Sequence, residues 1–370
     1  MRICHLAITH HVLSDSRIMD RMASSAAEAG HSVSVISSGV CARKVGKVEL
    51  KTVSEVVRSR KWYPILWVRC IVLALKDRAD VYHIHEVPLM LCGVVLKLLG
   101  KRVVVDFHED FEAELFEKPY LGRFFMWLFY IIYQPFKWLI IPLFDHVIIA
   151  EDSYQHNFAH VCNKRSTVRN HPRVEKFRYV DSPGGESFRL LYVGAISEDR
   201  GCRNIVEAVK EISLNNDIDI DLTLIGRIPD EGFRQYIENE KLASGGTIIW
   251  NGPQPYSEIQ NLMTDYSLGF SALHDNPNYR ASLPTKILEY NSAGLMCIAS
   301  DLPITAKYVV PDFTGLIIRP NNTADLTEAI INLFKNSRYP DREKIRNWVL
   351  TNYSWEREFS ILQKVYSGLK

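Results

Sequence analysis

Three turns in the second half of the chain carry residues suited to holding a diphosphate. The first, Leu191-Tyr192-Val193-Gly194-Ala195-Ile196-Ser197-Glu198-Asp199-Arg200-Gly201, reads as a strand, a glycine turn and an arginine just ahead of a helix. A guanidinium fork matches phosphate oxygens, and amides at a helix start add partial positive charge. The second, Leu224-Ile225-Gly226-Arg227, ends a strand on Gly226, where another group can approach the backbone closely. The third runs from Arg280 to Gly294. Pro284 suits its first helical position and Gly294 its end, so the amides around Ser282, Leu283 and Lys286 form an anion seat. At about 1.5 Å per residue, Glu289 stands ~7.5 Å along that helix, close to the step from a diphosphate to the ribose of the same nucleotide. Its carboxylate either accepts from two ribose hydroxyls or lies on an exposed face beside Lys286, three residues back.

In open parallel sheets, ligands sit at the carboxyl ends of strands, so these turns require such a sheet. The chain supplies one twice. Ile3–Thr9, Ser32–Ser37, Val81–His85 and Val103–Phe107 are short apolar runs alternating with helical patterns near Asp15–Ala29, Tyr63–Asp77 and Pro88–Leu98. Continuous rather than alternating apolar runs mark parallel strands covered on both faces. The runs Phe188–Val193, Asp221–Ile225, Thr247–Trp250, Leu268–Ser271, Met296–Ala299 and Gly315–Ile318 begin a second series. The expected fold is therefore α/β, with two Rossmann-like doubly wound domains facing a cleft. The expected boundaries are 1–170 for an N-terminal domain, 171–187 for a linker, 188–345 for a nucleotide-binding domain and 346–370 for a C-terminal helix returning to the first domain.

The order Val193-Gly194, Arg200-Gly201, Leu224-Ile225-Gly226, Pro284-Thr285-Lys286-Ile287-Leu288-Glu289-Tyr290, Ser300-Asp301-Leu302-Pro303 and Gly315-Leu316-Ile317 resembles the donor domain of retaining GT-B glycosyltransferases of family four. Asp15-Ser16-Arg17-Ile18, His83-Ile84-His85-Glu86 and Val105-Asp106-Phe107-His108-Glu109-Asp110 resemble the N-terminal domain of the subgroup that makes bacterial surface polysaccharides. The resemblance implies transfer of a sugar from a nucleotide diphosphate sugar, a UDP-sugar being favoured, to a glycan or lipid-linked acceptor, with retention and without a metal or further cofactor. It implies that Arg200 and Lys286 stabilise the departing diphosphate, that Gly194, Gly226, Ser282 and Leu283 line the donor, and that Glu289 holds the ribose. His108 matches the family histidine near the transferred sugar. His85 and Glu109 fall on the acceptor side, as do Asp15 and Arg17, which either close over the donor or cap their helix. One position departs from the pattern. The first glutamate of the family pair would stand eight residues before Glu289, where this chain has Ala281, so the backbone amides of Ser282 and Leu283, or neighbouring Asp275 or Asn276, are candidate substitutes.

With 370 residues, 47% hydrophobic and 24% charged, the chain is neither disordered nor fibrous, and a net charge of +1 advertises no nucleic acid partner. The seven cysteines form no metal-spaced set, which fits reduced thiols in a cytoplasmic protein. The charge is uneven: residues 41–80 are basic and interleaved with Trp62, Tyr63 and Trp67. The aromatic segment 120–144 is cut by Gln134, Pro135, Lys137 and Pro142, so an interfacial or core-covering helix pair is expected rather than a membrane span. Together these features suggest peripheral contact with the inner face of the cytoplasmic membrane. Two other readings share the architecture: a non-hydrolysing nucleotide-sugar epimerase, and a degenerate donor-binding partner subunit lacking the first glutamate.

Overall fold

Ile3, Cys4, His5 and Leu6 fall in β1 (Arg2–Leu6), which is buried because it pairs on both sides, with β2 (Ser32–Ser38) and β5 (Val81–Ile84). In the computed structural model the residues described are 1–8, 12–56, 62–108, 122–181, 188–215, 218–336 and 341–369. The chain divides into two units, Met1–Asn170 with Glu356–Lys370, and His171–Trp355.

The first unit is built on an eight-stranded sheet in the order β3-β4-β2-β1-β5-β6-β7-β8. Its further strands are β3 (Arg43–Val45), β4 (Val48–Ser54), β6 (Arg102–Phe107), β7 (His146–Ile149) and β8 (Arg165–Thr167), and only the β3–β4 pair is antiparallel. Strands β3 and β4 were not anticipated, although Val48-Glu49-Leu50-Lys51 alternates with charges as a half-buried strand near a sheet edge does. The strands are buried on both faces. Leu6, Ile84, Val105 and Ile149 point to one face and join a single apolar core with Leu66 and Cys70 of α2 (Tyr63–Asp77) and Leu96 of α3 (Met90–Leu98). His5, His83 and Asp106 have the opposite parity and point to the other face.

The segment expected as a helix pair is one helix, α4 (Arg123–Ile140), which passes through Pro135 and ends in a tight turn at Ile141–Leu143. Pro135 is exposed on the outer side of the helix, and its missing N–H leaves the Ile131 carbonyl without its usual helix bond. By length and composition alone, Met126–Leu143 also reaches what a membrane-crossing helix needs, contrary to the sequence expectation.

The second unit holds six parallel strands in the order β11-β10-β9-β12-β13-β14, the doubly wound arrangement whose direction reverses between β9 and β12. These are β9 (Phe188–Val193), β10 (Ile220–Ile225), β11 (Ile248–Trp250), β12 (Leu268–Ser271), β13 (Met296–Ser300) and β14 (Gly315–Ile318). Residues 171–177 are not a free linker: Val174 and Phe177 are buried in this unit's core, while residues 182–187 lie outside the described residues. The return to the first unit begins at Glu356 rather than at residue 346. Helix α11 (Arg342–Asn352) stays with the second unit because Arg346 donates to the carbonyls of Val174 and Phe177 at 2.8 and 3.0 Å. Only α12 (Trp355–Gly368) crosses over.

Candidate functional site

In the second unit the predicted residues gather at the point where the strand order reverses. Gly194 follows β9 with φ 126°, a left-handed conformation that glycine adopts without strain, and a Cβ there would lie 2.7 Å from the Lys286 Cε. Gly226 follows β10, and its Cβ would stand 1.8 Å from the Gly194 carbonyl oxygen. The two glycines therefore permit the β9 and β10 turns to touch backbone to backbone. Gly201, at φ 72°, similarly leaves room for the Ala272 carbonyl after β12.

Lys286 stands in the first turn of α9 (Thr285–Ser292). Its Nζ donates to the Tyr192 hydroxyl at 2.7 Å and lies 4.1 Å from the centre of that ring. Burial, and then the nearby Arg200 cation, lower its pKa to about 7. Arg200 lies between β9 and α5 (Cys202–Asn215), with its guanidinium carbon 5.7 Å from the centre of the Tyr279 ring. Tyr279 in turn donates to Asp199 at 2.5 Å. The site thus concentrates two cations whose mutual repulsion an anion would relieve.

Two amides at the helix start are already used. Pro284 precedes the helix, and the amides of Thr285 and Ile287 are already bonded to the carbonyls of Leu283 and Pro284. Positive charge at this turn comes from the Lys286 side chain. Ser282 and Leu283 are partly buried beside it. Glu289 is buried and not on an exposed face, and its Oε1 accepts from the Tyr256 hydroxyl at 2.8 Å. Ala281 ends the short helix α8 (Pro277–Ala281) and is exposed. Of the candidate substitutes, Asp275 pairs with the exposed Arg280 guanidinium at 2.5 Å, and the Asn276 side chain accepts from the Tyr279 amide. Tyr192 and Tyr256 were missed in the sequence. Tyr192 hides in an apolar strand run, and Tyr256 stands 33 residues from its partner.

In the first unit, the polar face of the sheet carries a buried network centred on Asp106. Arg17 grips both carboxylate oxygens, at 2.7 and 2.9 Å, and His85 Nδ1 lies 3.1 Å away. Burial alone would raise the Asp106 pKa, but the Arg17 charge and then His85 hold it well below the usual carboxylate range. The chain continues from His85 Nε2 to His5 Nδ1 at 2.8 Å, while His83 Nδ1 meets the hydroxyl of Tyr366 on α12 at 2.7 Å. Burial and then the neighbouring histidine depress His5 and His83, so both are neutral at pH 7. The nitrogens of His5, His83 and His85 come within 4.8 Å of one another, and two of them, His5 Nδ1 and His85 Nε2, face each other in their own hydrogen bond. Asp15 caps the following helical segment, accepting from the amides of Arg17 and Ile18. The cap is thus present, and Arg17 is turned inward to Asp106. His108, partly exposed, sits 3.9 Å from the Asp106 carboxylate. Glu109 lies outside the described residues.

The sequence matches the family description "Glycosyltransferase Family 4" over residues 16–169 and "Glycosyl transferases group 1" over residues 175–348. The chain therefore belongs to the glycosyltransferases of the GT-B, family four type. An uncharacterized glycosyltransferase of Methanocaldococcus jannaschii is 22% identical over 185 residues, 49% of this chain. That match spans 45% of the relative's length, under half of it. Among solved structures, a sucrose-phosphate synthase from Thermosynechococcus elongatus superposes with a TM-score of 0.75 at 15% identity, covering 100% of this chain and 99% of that one. Anabaena HepE in complex with UDP gives 0.68 at 10% identity over 100% of both chains. WaaG, a glycosyltransferase involved in lipopolysaccharide biosynthesis, gives 0.68 at 14% identity over 98% of this chain and 99% of that one. At these identities the superpositions establish the fold.

Proposed function

We propose that the protein is a retaining glycosyltransferase that moves a sugar from a nucleotide diphosphate sugar, a UDP-sugar being favoured, to a glycan or lipid-linked acceptor in surface polysaccharide synthesis. The observation that carries this reading is the pairing of Lys286 with Tyr192 beneath Gly194, with Arg200 near enough to shift the Lys286 pKa. A diphosphate held there meets Arg200 and a Lys286 that its own charge keeps protonated, where negative charge grows as the glycosidic bond breaks, the largest electrostatic demand of the reaction. Glu289, held by Tyr256, supports the ribose. The acceptor hydroxyl attacks from the face the leaving group departs, the departing phosphate oxygen takes its proton, and the sugar passes through brief oxocarbenium character. His108 serves the sugar and acceptor side. The reading needs no metal, since Arg200 and Lys286 supply the countercharge.

Donor identity is read by thermal stabilisation against UDP-, GDP-, ADP-, dTDP- and CMP-linked sugars, because a ligand that binds the folded state raises its melting temperature. Arg200→Ala then tests the chemistry. Turnover is expected to fall by about 10²-fold or more with the melting temperature kept. Unchanged turnover would remove Arg200 from the mechanism, and no donor binding would overturn the assignment.

A further inference from the structure

Exposed large apolar side chains are sparse in the second unit, where Leu214, Leu242, Val310 and Leu350 are the ones recorded among the described residues. In the first unit, apart from Leu13 and Val56, they concentrate on α2, α3 and α4 with the residues flanking them. These helices cover the same face of one sheet. Leu66 and Cys70 of α2, Leu96 of α3 and Phe136 of α4 all turn inward to one apolar core. The opposite sides of the helices would be polar in an isolated soluble domain. Here they are not. Ile65, Val68 and Val72 form a stripe along α2, Leu98 at the end of α3 is 82% exposed, and Ile132 and Leu139 of α4 are 58% and 71% exposed.

The helices themselves expose no acidic side chain. The sequences of α3 and α4 contain no acidic residue, the single one in α2, Asp77, is buried and taken by Arg2, Ser34 and Lys51, and Asp145 beside α3 is held by Lys97. Arg69 and Lys76 continue the exposed α2 stripe that Ile65 and Val72 begin. Exposed Trp62, Trp127 and Trp138 add the amphipathic rings that settle at the level of lipid headgroups. An anionic bilayer supplies both an apolar layer and a negative surface, and each basic residue near such a surface adds about 1 kcal/mol of attraction.

From this combination we propose that α2, α3 and α4 form one docking face that lies in the surface of an anionic phospholipid membrane, with α4 in the plane of the interface. Although α4 is long enough to cross a bilayer, Met126, Tyr133 and Lys137 are buried on its inner side, and Phe136 and Ile140 pack on the core of the sheet. A helix with one face held by its own domain keeps only the other for lipid. The proposal extends the reading of a lipid-linked acceptor by giving the acceptor-side unit its surface, but it stands on exposure and charge alone.

The test is flotation of the full chain with vesicles of phosphatidylcholine alone and with 30% phosphatidylglycerol, about the anionic share that gives a physiological surface potential. The expected result is flotation with the anionic vesicles, weakened by salt. The triple variant Val68→Glu, Ile132→Glu, Leu139→Glu is expected to float at least tenfold less while binding nucleotide sugar as the wild type does. Because donor binding is read separately, a failure of the glycosyltransferase reading leaves the flotation result interpretable. Wild-type protein that does not float, or a variant that floats equally well, overturns the proposal. A concentration-dependent dimer in the wild type that the same substitutions abolish, without flotation, reassigns the face to a second copy of this chain.

Discussion

The Nζ of Lys286 donates to the Tyr192 hydroxyl at 2.7 Å across the space that a side chain at position 194 would fill. The lysine is therefore held by an aromatic strand residue, under a glycine turn, where burial and Arg200 lower its pKa to about 7 and an incoming anion would restore its charge. Gly194→Ala places a methyl group 2.7 Å from the Lys286 Cε at a φ of 126°. A loss of about 1–3 kcal/mol in urea unfolding is expected from the strained backbone. Calorimetry should show donor affinity reduced by more than tenfold. Gly226→Ala collides with a carbonyl instead of a flexible side chain, so it should be the more destabilising of the two.

Lys286 also predicts a pH dependence. Its folded pKa, about 7, lies below the ordinary 10.5, so between these values the unfolded chain binds a proton that the folded chain has lost. Stability contributed by this group therefore rises with pH through that window and is least below pH 7. Lys286→Met should flatten the rise in urea midpoints from pH 7 to 9. A diphosphate favours the ammonium form, so donor binding at pH 8 should take up protons, which calorimetry in buffers of different ionisation enthalpy reads directly.

Glu289→Ala should raise the donor KM with a smaller change in kcat. If its carboxylate holds the ribose, a 2′-deoxy donor should bind the wild type more weakly but show little further loss in the variant. Equal, additive losses would place the ribose elsewhere.

Arg17→Met leaves the Asp106 carboxylate buried without its main counterion, and a loss of about 3–5 kcal/mol is expected. Replacing both, with Asp106→Leu added, should recover part of that loss. The pair's contribution is present above the ordinary aspartate pKa of 3.8 and is lost as pH falls through the depressed folded value. Wild-type protein should accordingly lose stability below pH 4 more steeply than the double variant.

The strands and their parallel pairing were legible because buried parallel strands must be apolar on both faces, a demand written directly into runs such as Leu190-Leu191-Tyr192-Val193. The glycines of the site were legible too, since a turn that touches another backbone admits no side chain. Gly194, Gly226, Arg200, Lys286 and Glu289 fall together because each follows or faces the end of a strand near the reversal of sheet order. Missed instead were β3 and β4, although the alternation of Val48 and Leu50 with Glu49 and Lys51 carries a strand signal, and the single course of α4 through Pro135.

Residue type and local order thus specified where the chain turns and what chemistry the turns offer. The partner of each polar group was specified only by packing. Asp106 and Arg17 are 89 residues apart, Lys286 and Tyr192 94, and His83 and Tyr366 283. Whether a histidine on a strand is neutral, whether Asp15 caps or reaches out, and whether Lys286 is charged depend on desolvation and on charges brought close in space. Those energies fall off with distance through the folded protein, and no spacing along the chain encodes them.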